Sequence, residues 1–291
     1  MHISELYCYP IKSCGGIRLS EARVGPRGIE HDREYMIIDA NIGMFAAQRK
    51  AKGLGIEVKS LCKVRTWIED TDTIFITAPG RRTVYAHPSM QQQEVVVQVW
   101  NTTGIRAYDM GNHLADWFSS FLSQERPGKY RLVRIADDFF RKAKQGTAQV
   151  GFGDAYPLMG LEQASIDGLN ERLANKGQGS LPVNRFRPNF VFSGGEPHAE
   201  DHMKVVKIGG DSGIVLDGMT LCERCPLPCT NQETAVRLKE PSATWGQYRR
   251  GRHIGIMDPA KQSALFFGRN FNHRGPGYIR VGDTVEVLER D

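Results

Sequence analysis

The order of the secondary-structure patterns constrains this chain most. Strand patterns fill the first hundred residues, a helical pattern follows, and strand patterns return toward the C-terminus. The runs 33–39 and 95–100 are rich in β-branched or aromatic residues, and Gly and Pro mark the turns around such runs. Because strands and helices do not alternate strictly, the order predicts a β-rich α+β protein with barrel-like sheets.

Local patterns predict three helices and one closing hairpin. The apolar residues of "GNHLADWFSSFL" fall on one helical face: Leu114, Trp117, Phe118, Phe121 and Leu122. The stretch "LEQASIDGLNERL" repeats this pattern, and "KEPSATWGQYRR" predicts a third, shorter helix. In the C-terminal "YIRVGDTVEVL", strand residues surround a turn at Gly282 and Asp283, which predicts a hairpin.

Length, charge and hydropathy exclude several classes of protein. The chain has 291 residues, enough for one large domain or two closely packed ones. Its net charge of +5 is modest and its basic residues form no long run, which argues against nucleic-acid binding. It has no run of about 18 apolar residues and no signal-peptide pattern, so we expect no membrane span, a cytoplasmic location and reduced cysteines.

Three of the six cysteines lie in "LCERCPLPCTNQETA", residues 221–235. They are Cys222, Cys225 and Cys229. Zinc binding is one alternative, with His198 and His202 as upstream ligands, although the second closely spaced cysteine pair of many zinc sites is missing. A disulfide is another alternative, which a reducing compartment disfavours. The third is a free thiolate that binds a soft, redox-active metal.

The neighbours of Cys225 favour the thiolate alternative. The guanidinium of Arg224 would stabilise a negative charge on the sulfur. Pro226 and Pro228 restrict the backbone that follows. A rigid loop suits a residue that must hold a metal in one geometry.

Two other stretches carry basic residues that suit an anion. Lys12 and Ser13 lie in "YPIKSCGGI", where a turn can present an ammonium and backbone N–H groups to a phosphate. Arg185 and Arg187, in "NRFRPNFVFSG", would share one face of an extended strand and could bind a phosphate together. A surface lysine and a solvated edge strand are the alternatives.

The sequence does not decide the role of two further features. In "HDREYM", Asp32 and Arg33 are expected to pair with each other. The long polar stretch 123–157 is either a connection between domains or a loop beside a site.

Taken together, these stretches resemble a known family. "LYCYPIKSCGGIRLSEARV", "DREYMIID" and "VWNTTGIRAYDMGNHLADWFSSFL" are similar to the MOSC N-terminal β-barrel domain. "FGDAYPLMGLEQASIDGLNERL", "RFRPNFVFSGGEPHAED", "KEPSATWGQYRR" and "IRVGDTVEVL" resemble the MOSC domain of the mitochondrial amidoxime-reducing component and its bacterial relatives. The resemblance implies a β-barrel-like N-terminal domain over residues 1–135 and a MOSC β-barrel domain with peripheral helices over 136–291.

The resemblance implies a molybdenum–molybdopterin cofactor (Moco). Cys225, in "CERC", matches the cysteine that binds the metal in the family. Other positions match cofactor contacts of the family: Lys12, Ser13, Arg33, Ala155, Tyr156, Arg187, Asn189, Glu223, Arg224 and Asn270. Asp154 is a candidate catalytic residue that would help orient the substrate or a proton donor. The resemblance also implies a capacity to bind pyridoxal phosphate.

The implied activity is the reduction of N-hydroxylated compounds, of the amidoxime or hydroxylamine type. Electrons would come from a separate cytochrome b5-like or ferredoxin-like protein. The alternatives are a non-catalytic carrier of sulfurated cofactor, like the C-terminal domain of molybdenum cofactor sulfurase, and a structural zinc protein. After Cys225 the chain reads "PLPCTNQETA", where the amidoxime reducers have a stretch like "T-x-V-D-P-x-T-G", so the resemblance does not fix the substrate.

Overall fold

The computed structural model describes residues 1–49, 54–69 and 72–291, and strands dominate them. In the N-terminal half the strands are β1 (His2–Cys8), β2 (Ile17–Leu19), β3 (Glu21–Gly25), β4 (Gly28–Ile29), β5 (Tyr35–Asp39), β6 (Ala46–Ala47), β7 (Ile56–Glu57), β8 (Arg65–Glu69), β9 (Thr73–Thr77), β10 (Val84–Ala86), β11 (Glu94–Val99), β12 (Thr102–Asp109) and β13 (Tyr130–Ile135). In the C-terminal half they are β14 (Leu158–Glu162), β15 (Phe190–Ser193), β16 (Met203–Ile208), β17 (Ile214–Glu223), β18 (Phe266–His273), β19 (Gly277–Arg280) and β20 (Val285–Arg290). The predicted β-rich α+β class is confirmed.

The three predicted helices are confirmed. They are α1 (Asn112–Leu122), α2 (Gln163–Ala174) and the single turn α3 (Ser242–Trp245). All the apolar residues predicted on one face of α1 are buried, and α1 packs against β13. Burial of this apolar stripe explains why a helix forms in an otherwise strand-rich half.

The largest sheet has eight strands in the order β2-β1-β15-β14-β18-β17-β16-β20. Only β14 and β15 pair in parallel, and the other neighbours are antiparallel. At the far edge, a bridge joins His2 to Thr284, and the N–H of Val285 donates to the carbonyl of Met1 at 2.8 Å. These contacts bring the start of β1 to the start of β20, which gives the sheet its barrel-like form.

The N-terminal half contains a four-stranded sheet, β11-β12-β13-β5, and a three-stranded sheet, β10-β9-β8. Side chains of α1, β5, β9 and β13 share one apolar core. The β11–β12 hairpin turns at Trp100, whose φ of 51° lies in the left-handed region. This turn carries the indole of Trp100 to the cavity described below.

Strand pairing crosses the predicted domain boundary at residue 135. Strands β1 and β2 extend the large sheet beyond β15, and β3 pairs with β19. The two ends of the chain therefore build shared sheets. The boundary itself stays a prediction.

The predicted C-terminal hairpin is wrong. Strands β19 and β20 follow each other but pair with β3 and β16, in different sheets. The Gly282–Asp283 turn exists, since the N–H of Asp283 donates to the carbonyl of Arg280 at 3.1 Å. A local turn pattern does not specify which strand the following residues pair with, and here each strand has another partner.

Candidate functional site

A cavity of about 280 Å³ lies between residues of the large sheet and residues of the N-terminal half. Asp154 and all eleven positions that match metal or cofactor contacts of the family line it: Lys12, Ser13, Arg33, Asp154, Ala155, Tyr156, Arg187, Asn189, Glu223, Arg224, Cys225 and Asn270. Some lie in the N-terminal part of the chain, after β1 and before β5. The others lie in the segments before β14 and β15, in or just after β17, and in β18. The fold therefore brings together residues that are more than two hundred positions apart in sequence.

Lys12 is buried and forms part of the cavity wall. Its Nζ donates to Oδ1 of Asp154 at 2.5 Å and to the carbonyl of Phe152 at 2.8 Å. Burial lowers the pKa of Lys12, and the charge of Asp154 opposes that effect. Lys12 is therefore one partner of an ion pair in the cavity, not a free surface lysine.

Asp154 is held by three side chains. Besides Lys12, its carboxylate accepts a hydrogen bond from Nε1 of Trp100 at 2.8 Å and pairs with Nη2 of Arg49 at 3.3 Å. Desolvation favours the neutral acid, but the charges of Lys12 and Arg49 outweigh it and hold the pKa of Asp154 well below its usual range. At neutral pH Asp154 is a carboxylate that accepts hydrogen bonds and has no proton to donate.

A buried arginine fixes the backbone around Asp154. Arg141 donates through Nη1 to the carbonyls of Gly151 and Gly153, at 2.5 and 2.6 Å, and through Nη2 to the carbonyl of Asp154 at 3.2 Å. Gly151 permits a close approach, since a Cβ there would lie 2.7 Å from the carbonyl oxygen of Arg33. The end of the long polar stretch thus forms one wall of the cavity, as a loop beside a site would.

Arg33 and Arg187 stack on one aromatic ring. Their guanidinium carbons lie 4.4 and 4.2 Å from the ring centroid of the buried Tyr9. Arg33 also forms the predicted ion pair with Asp32. Although burial acts in the opposite direction, this partner raises the pKa of Arg33.

Arg187 has no ion pair within the part of the chain that the structure describes. Burial, followed by the neighbouring charge of Arg33, lowers the pKa of Arg187 to about 10. An anion in the cavity would relieve the repulsion between these two cations. They therefore form a candidate phosphate site.

Asn189 and Ser13 also support the surrounding backbone. Oδ1 of Asn189 accepts from Nη1 of Arg33 at 3.2 Å and from the N–H of Met159 at 3.1 Å. Ser13 has a φ of 68°, and its carbonyl accepts from Nε2 of Gln48 at 2.7 Å. Asn189 thus positions Arg33 at the cavity wall.

The turn at Lys12 does not present a row of free N–H groups. The N–H groups of Lys12, Cys14 and Gly15 donate to protein carbonyls, at 2.8, 3.1 and 2.9 Å. The expectation that this backbone surrounds an anion is wrong for these three groups. The contribution of the turn to the cavity is the ammonium of Lys12.

The three clustered cysteines have different surroundings. Cys222, in β17, and Cys225 are half-buried and line the cavity. Cys229 is buried outside the lining, with its Sγ 3.1 Å from Oγ of Ser242. Only two of the three cysteines therefore face the space where a ligand would bind.

The charge of Arg224 favours the Cys225 thiolate, as expected, but its hydrogen bonds go to other groups. Its Nη1 donates to Sγ of Cys222 at 3.2 Å, and its Nη2 donates to the carbonyl of Phe186 at 2.7 Å. Burial raises the pKa of Cys225, and the charges of Arg49 and Arg224 oppose this shift without reversing it. Proximity to an arginine does not by itself make Cys225 a thiolate.

The zinc and disulfide alternatives find no support in the described residues. They contain no group of three or more His, Cys, Asp or Glu side chains arranged to hold a metal ion. All six cysteines are free thiols. His198 precedes a 3₁₀ helix, Ala199–His202, and its ring lies 6.0 and 5.9 Å from the rings of Tyr248 and Phe267.

The expectation that Arg185 and Arg187 share one strand face is wrong. Arg185 ends the 3₁₀ helix Val183–Arg185, and its Nε donates to the carbonyl of Pro228 at 2.7 Å. Arg187 has a φ of 59° and donates to the carbonyl of Cys14. Because the backbone is not extended between them, only Arg187 reaches the cavity.

Three basic residues and one tryptophan of the cavity wall were not identified as site residues from the sequence. They are Arg49, Trp100, Lys144 and Lys261. The guanidinium of Arg49 stacks on Trp100, with its carbon 4.2 Å from the ring centroid. Trp100 lies in the stretch "VWNTTGIRAYDMGNHLADWFSSFL" that carries the resemblance, but no spacing or motif marked any of the four as a site residue.

Two family models match the chain. The MOSC N-terminal beta barrel domain matches residues 1–125, and the MOSC domain matches residues 147–286. The chain belongs to the MOSC family. The resemblance inferred from the sequence motifs is therefore confirmed.

Two kinds of named protein are among the curated relatives of this MOSC protein. Mitochondrial amidoxime-reducing component 1 of Mus musculus is 30% identical over 303 residues, which cover 98% of this chain and 82% of the relative. The Homo sapiens protein of the same name is 29% identical over 309 residues, with the same coverage. Molybdenum cofactor sulfurase of Danio rerio is 27% identical over 292 residues, which cover 93% of this chain but 33% of that protein.

None of the helices in the described part of this MOSC protein combines the length and the apolar character needed to cross a bilayer.

Proposed function

We propose that this MOSC protein binds Moco and reduces N-hydroxylated compounds of the amidoxime or hydroxylamine type. The observation that carries the proposal is the convergence of Cys225 and a set of cationic side chains on one cavity. The names of the amidoxime-reducing relatives point to the same chemistry. The electrons would come from a separate cytochrome b5-like or ferredoxin-like protein.

The chemistry of the cavity fits this cofactor. Seven lining residues are Lys or Arg and two are Asp or Glu, so the cavity suits a ligand that carries phosphate and thiolate charges. Cys225 supplies one thiol, the ligand type that soft, redox-active metals prefer. Arg33 and Arg187 would bind the phosphate, and Cys225 would bind the metal.

The remaining nominated residues would complete the cofactor site. Lys12 and Arg224 add positive charge to the wall. The other contacts would be made by Ser13, Ala155, Tyr156, Asn189, Glu223 and Asn270. The bound cofactor would supply the two electrons that break the N–O bond.

Asp154 would orient the substrate. An amidoxime takes up two electrons and two protons and yields an amidine and water. Because Asp154 stays ionised at neutral pH, it would accept a hydrogen bond from an N–H or O–H group of the substrate. The protons would come from another donor.

The test uses protein made in a host that synthesises Moco. We expect about one molybdenum per chain and conversion of benzamidoxime to benzamidine with reduced methyl viologen as the electron source. Full molybdenum content without turnover would contradict the reductase and favour the carrier alternative. Protein that carries zinc, with neither molybdenum nor pterin, would contradict both.

The carrier alternative rests on the sulfurase relatives, which this chain matches over 93% of its own length. A carrier would bind Moco through the same side chains and release it to an acceptor apoenzyme. Activation of such an apoenzyme by the loaded protein, together with no turnover of benzamidoxime, would establish it. The cytoplasmic location and pyridoxal phosphate binding stay predictions.

A further inference from the structure

The Lys12–Asp154–Arg49 group carries an uncompensated positive charge. One carboxylate is shared by two cations, with Nζ of Lys12 at 2.5 Å and Nη2 of Arg49 at 3.3 Å. Arg141, whose hydrogen bonds go to carbonyl groups, adds another cation behind Asp154. The carboxylate therefore neutralises at most one of the surrounding charges.

Arg49 is fixed at the cavity wall by Trp100 and Asp154. Its guanidinium stacks on Trp100 at 4.2 Å, and its side chain is 16% exposed. Trp100 is itself tied to Asp154 by the 2.8 Å hydrogen bond from Nε1. Arg49 is therefore held in one orientation at the cavity wall.

Two lysines add to this excess charge. Lys144 and Lys261 line the same cavity from two separate segments, one before β14 and one before β18. Within residues 1–49, 54–69 and 72–291, neither ammonium has an acidic side chain within 4 Å. Glu223 is the other acidic residue in the lining, and it too has no ion pair within these residues.

Arg49 does not share the aromatic ring that holds the two arginines of the proposed phosphate site. Arg33 and Arg187 stack on Tyr9, whereas Arg49 stacks on Trp100. None of Arg49, Lys144 and Lys261 matches a cofactor contact implied by the family resemblance. Lys144 and Lys261 have no acidic partner among the described residues, and Arg49 shares its carboxylate partner with Lys12. Such cations attract an anionic group of whatever ligand enters the cavity.

We propose that Arg49, Lys144 and Lys261 form an anion subsite, and that the preferred substrate is an N-hydroxylated compound that carries a carboxylate or phosphate group. This inference rests on the proposed function. It adds a substrate class that the amidoxime group alone does not define.

The experiment compares matched substrates with the Moco-loaded enzyme. We expect the carboxylate-bearing substrate, 4-carboxybenzamidoxime, to show a Michaelis constant about fivefold lower than benzamidoxime does, the size of effect that one or two partly exposed ion pairs produce. The ratio of the two constants should approach one in about 0.5 M salt, since salt screens such charges. A phosphonate-bearing benzamidoxime shows whether the subsite favours the doubly charged group.

The double variant Lys144→Gln, Lys261→Gln should bring the ratio of the two Michaelis constants close to one at low salt. The matched control is Lys142→Gln, because Lys142 is exposed, lies two residues from Lys144 and does not line the cavity. That control should keep the wild-type ratio. A second readout compares the binding affinities of the products, 4-carboxybenzamidine and benzamidine, measured by calorimetry with the loaded protein.

The outcomes separate the two proposals. Equal Michaelis constants and equal product affinities for the charged and neutral compounds would overturn the anion subsite while benzamidoxime turnover upheld the reductase. Tighter binding of the carboxylate compounds, lost in the double variant, would uphold the subsite even if neither compound were reduced. The absence of turnover at full molybdenum content would then count against the proposed function alone.

Discussion

At the scale of single residues, Cys225 and Cys229 make a matched pair. Both are free cysteines in the same loop region, but only Cys225 lines the cavity. We predict that Cys225→Ser reduces the molybdenum content of purified protein at least about tenfold, because a serine hydroxyl is a poor ligand for a soft metal. Mass spectrometric metal analysis per mole of protein gives the measurement.

The Cys229→Ser variant is the control for that prediction. Its sulfur faces Ser242 in a buried environment, so the exchange affects packing but not the cavity. It should keep the wild-type molybdenum content with a modest loss of stability. Equal metal content in both serine variants would show that Cys225 is not the ligand.

Single residues were predictable where the family pattern marked them. Cys225, Lys12 and Arg187 were nominated in this way, and the fold places all three in one cavity. Arg49 and Trp100 acquire their position only through tertiary contacts, namely their stacking and their shared partner Asp154. No local spacing encodes such a contact.

At the scale of elements, the 3₁₀ helix Ala199–His202 contains a buried carboxyl group. Oε2 of Glu200 accepts a hydrogen bond from Oγ of Ser165 at 2.9 Å, and Oε1 has no partner among the described residues. Burial, with the nearby charge of Asp201, raises the pKa of Glu200 to about 8. In the unfolded chain its pKa would be about 4.3.

This shift predicts a pH-dependent stability. Between those two pKa values the folded state holds a proton that the unfolded state releases, so the free energy of unfolding falls as pH rises from about 5 to about 8. The slope due to one such group is at most about 1.4 kcal/mol per pH unit. Urea unfolding of the wild-type protein and of Glu200→Gln across this pH range measures the slope, since glutamine does not titrate.

The difference between the two proteins isolates the contribution of Glu200. We expect Glu200→Gln to gain stability relative to wild type as pH rises through this window. A difference that stays constant with pH would show that Glu200 is ionised in the folded state.

The segment before β14 depends on Arg141. Replacement by methionine leaves the carbonyls of Gly151, Gly153 and Asp154 without this donor. A buried unpaired group costs about 1–3 kcal/mol, and the two part-buried carbonyls, which water can reach, cost less than the buried one. We predict that Arg141→Met lowers the free energy of unfolding by about 2–4 kcal/mol. We also expect limited proteolysis to cut faster within residues 136–157.

Arg290→Met serves as the control, because Arg290 is exposed at the end of β20. It should unfold like wild type in the same denaturant titration. If Arg141→Met matched it in stability and proteolysis, the hydrogen bonds of Arg141 would not hold the segment.

Secondary-structure elements were predictable from the sequence where one hydrophobic periodicity identified them. Helices α1 and α2 bury the apolar faces that their sequences indicate. The prediction of a closing hairpin was wrong because local residues determine the turn but not which strands pair. Strand β19 pairs with β3, and β20 pairs with β16. The choice of strand partner depends on the whole sheet.

At the scale of the whole molecule, the chain cannot be divided at residue 135 without breaking sheets. A fragment of residues 136–291 would lack β1, which pairs with β15, and β3, which pairs with β19. We predict that this fragment alone shows no cooperative unfolding transition and poor amide dispersion in NMR spectra. Apolar side chains of β1 and β3 belong to the same core as those of β16 and β18, which adds to the loss.

Co-expression with residues 1–135 gives the complementary experiment. If the strand pairing is as described, the two fragments should associate and recover the spectrum of the full chain. A fragment 136–291 that folded cooperatively by itself would show that the shared sheets are dispensable.

The cavity walls contain residues from Lys12 to Asn270 and therefore from both ends of the chain. A ligand that occupies the cavity must leave when either half unfolds. By mass action its binding free energy is added to the unfolding of the entire chain, about 2.7 kcal/mol at a hundredfold excess over the dissociation constant. The thermal midpoint of the full-length protein would therefore report what fraction of the chains holds a ligand in this cavity, and chains without the ligand would be more easily degraded.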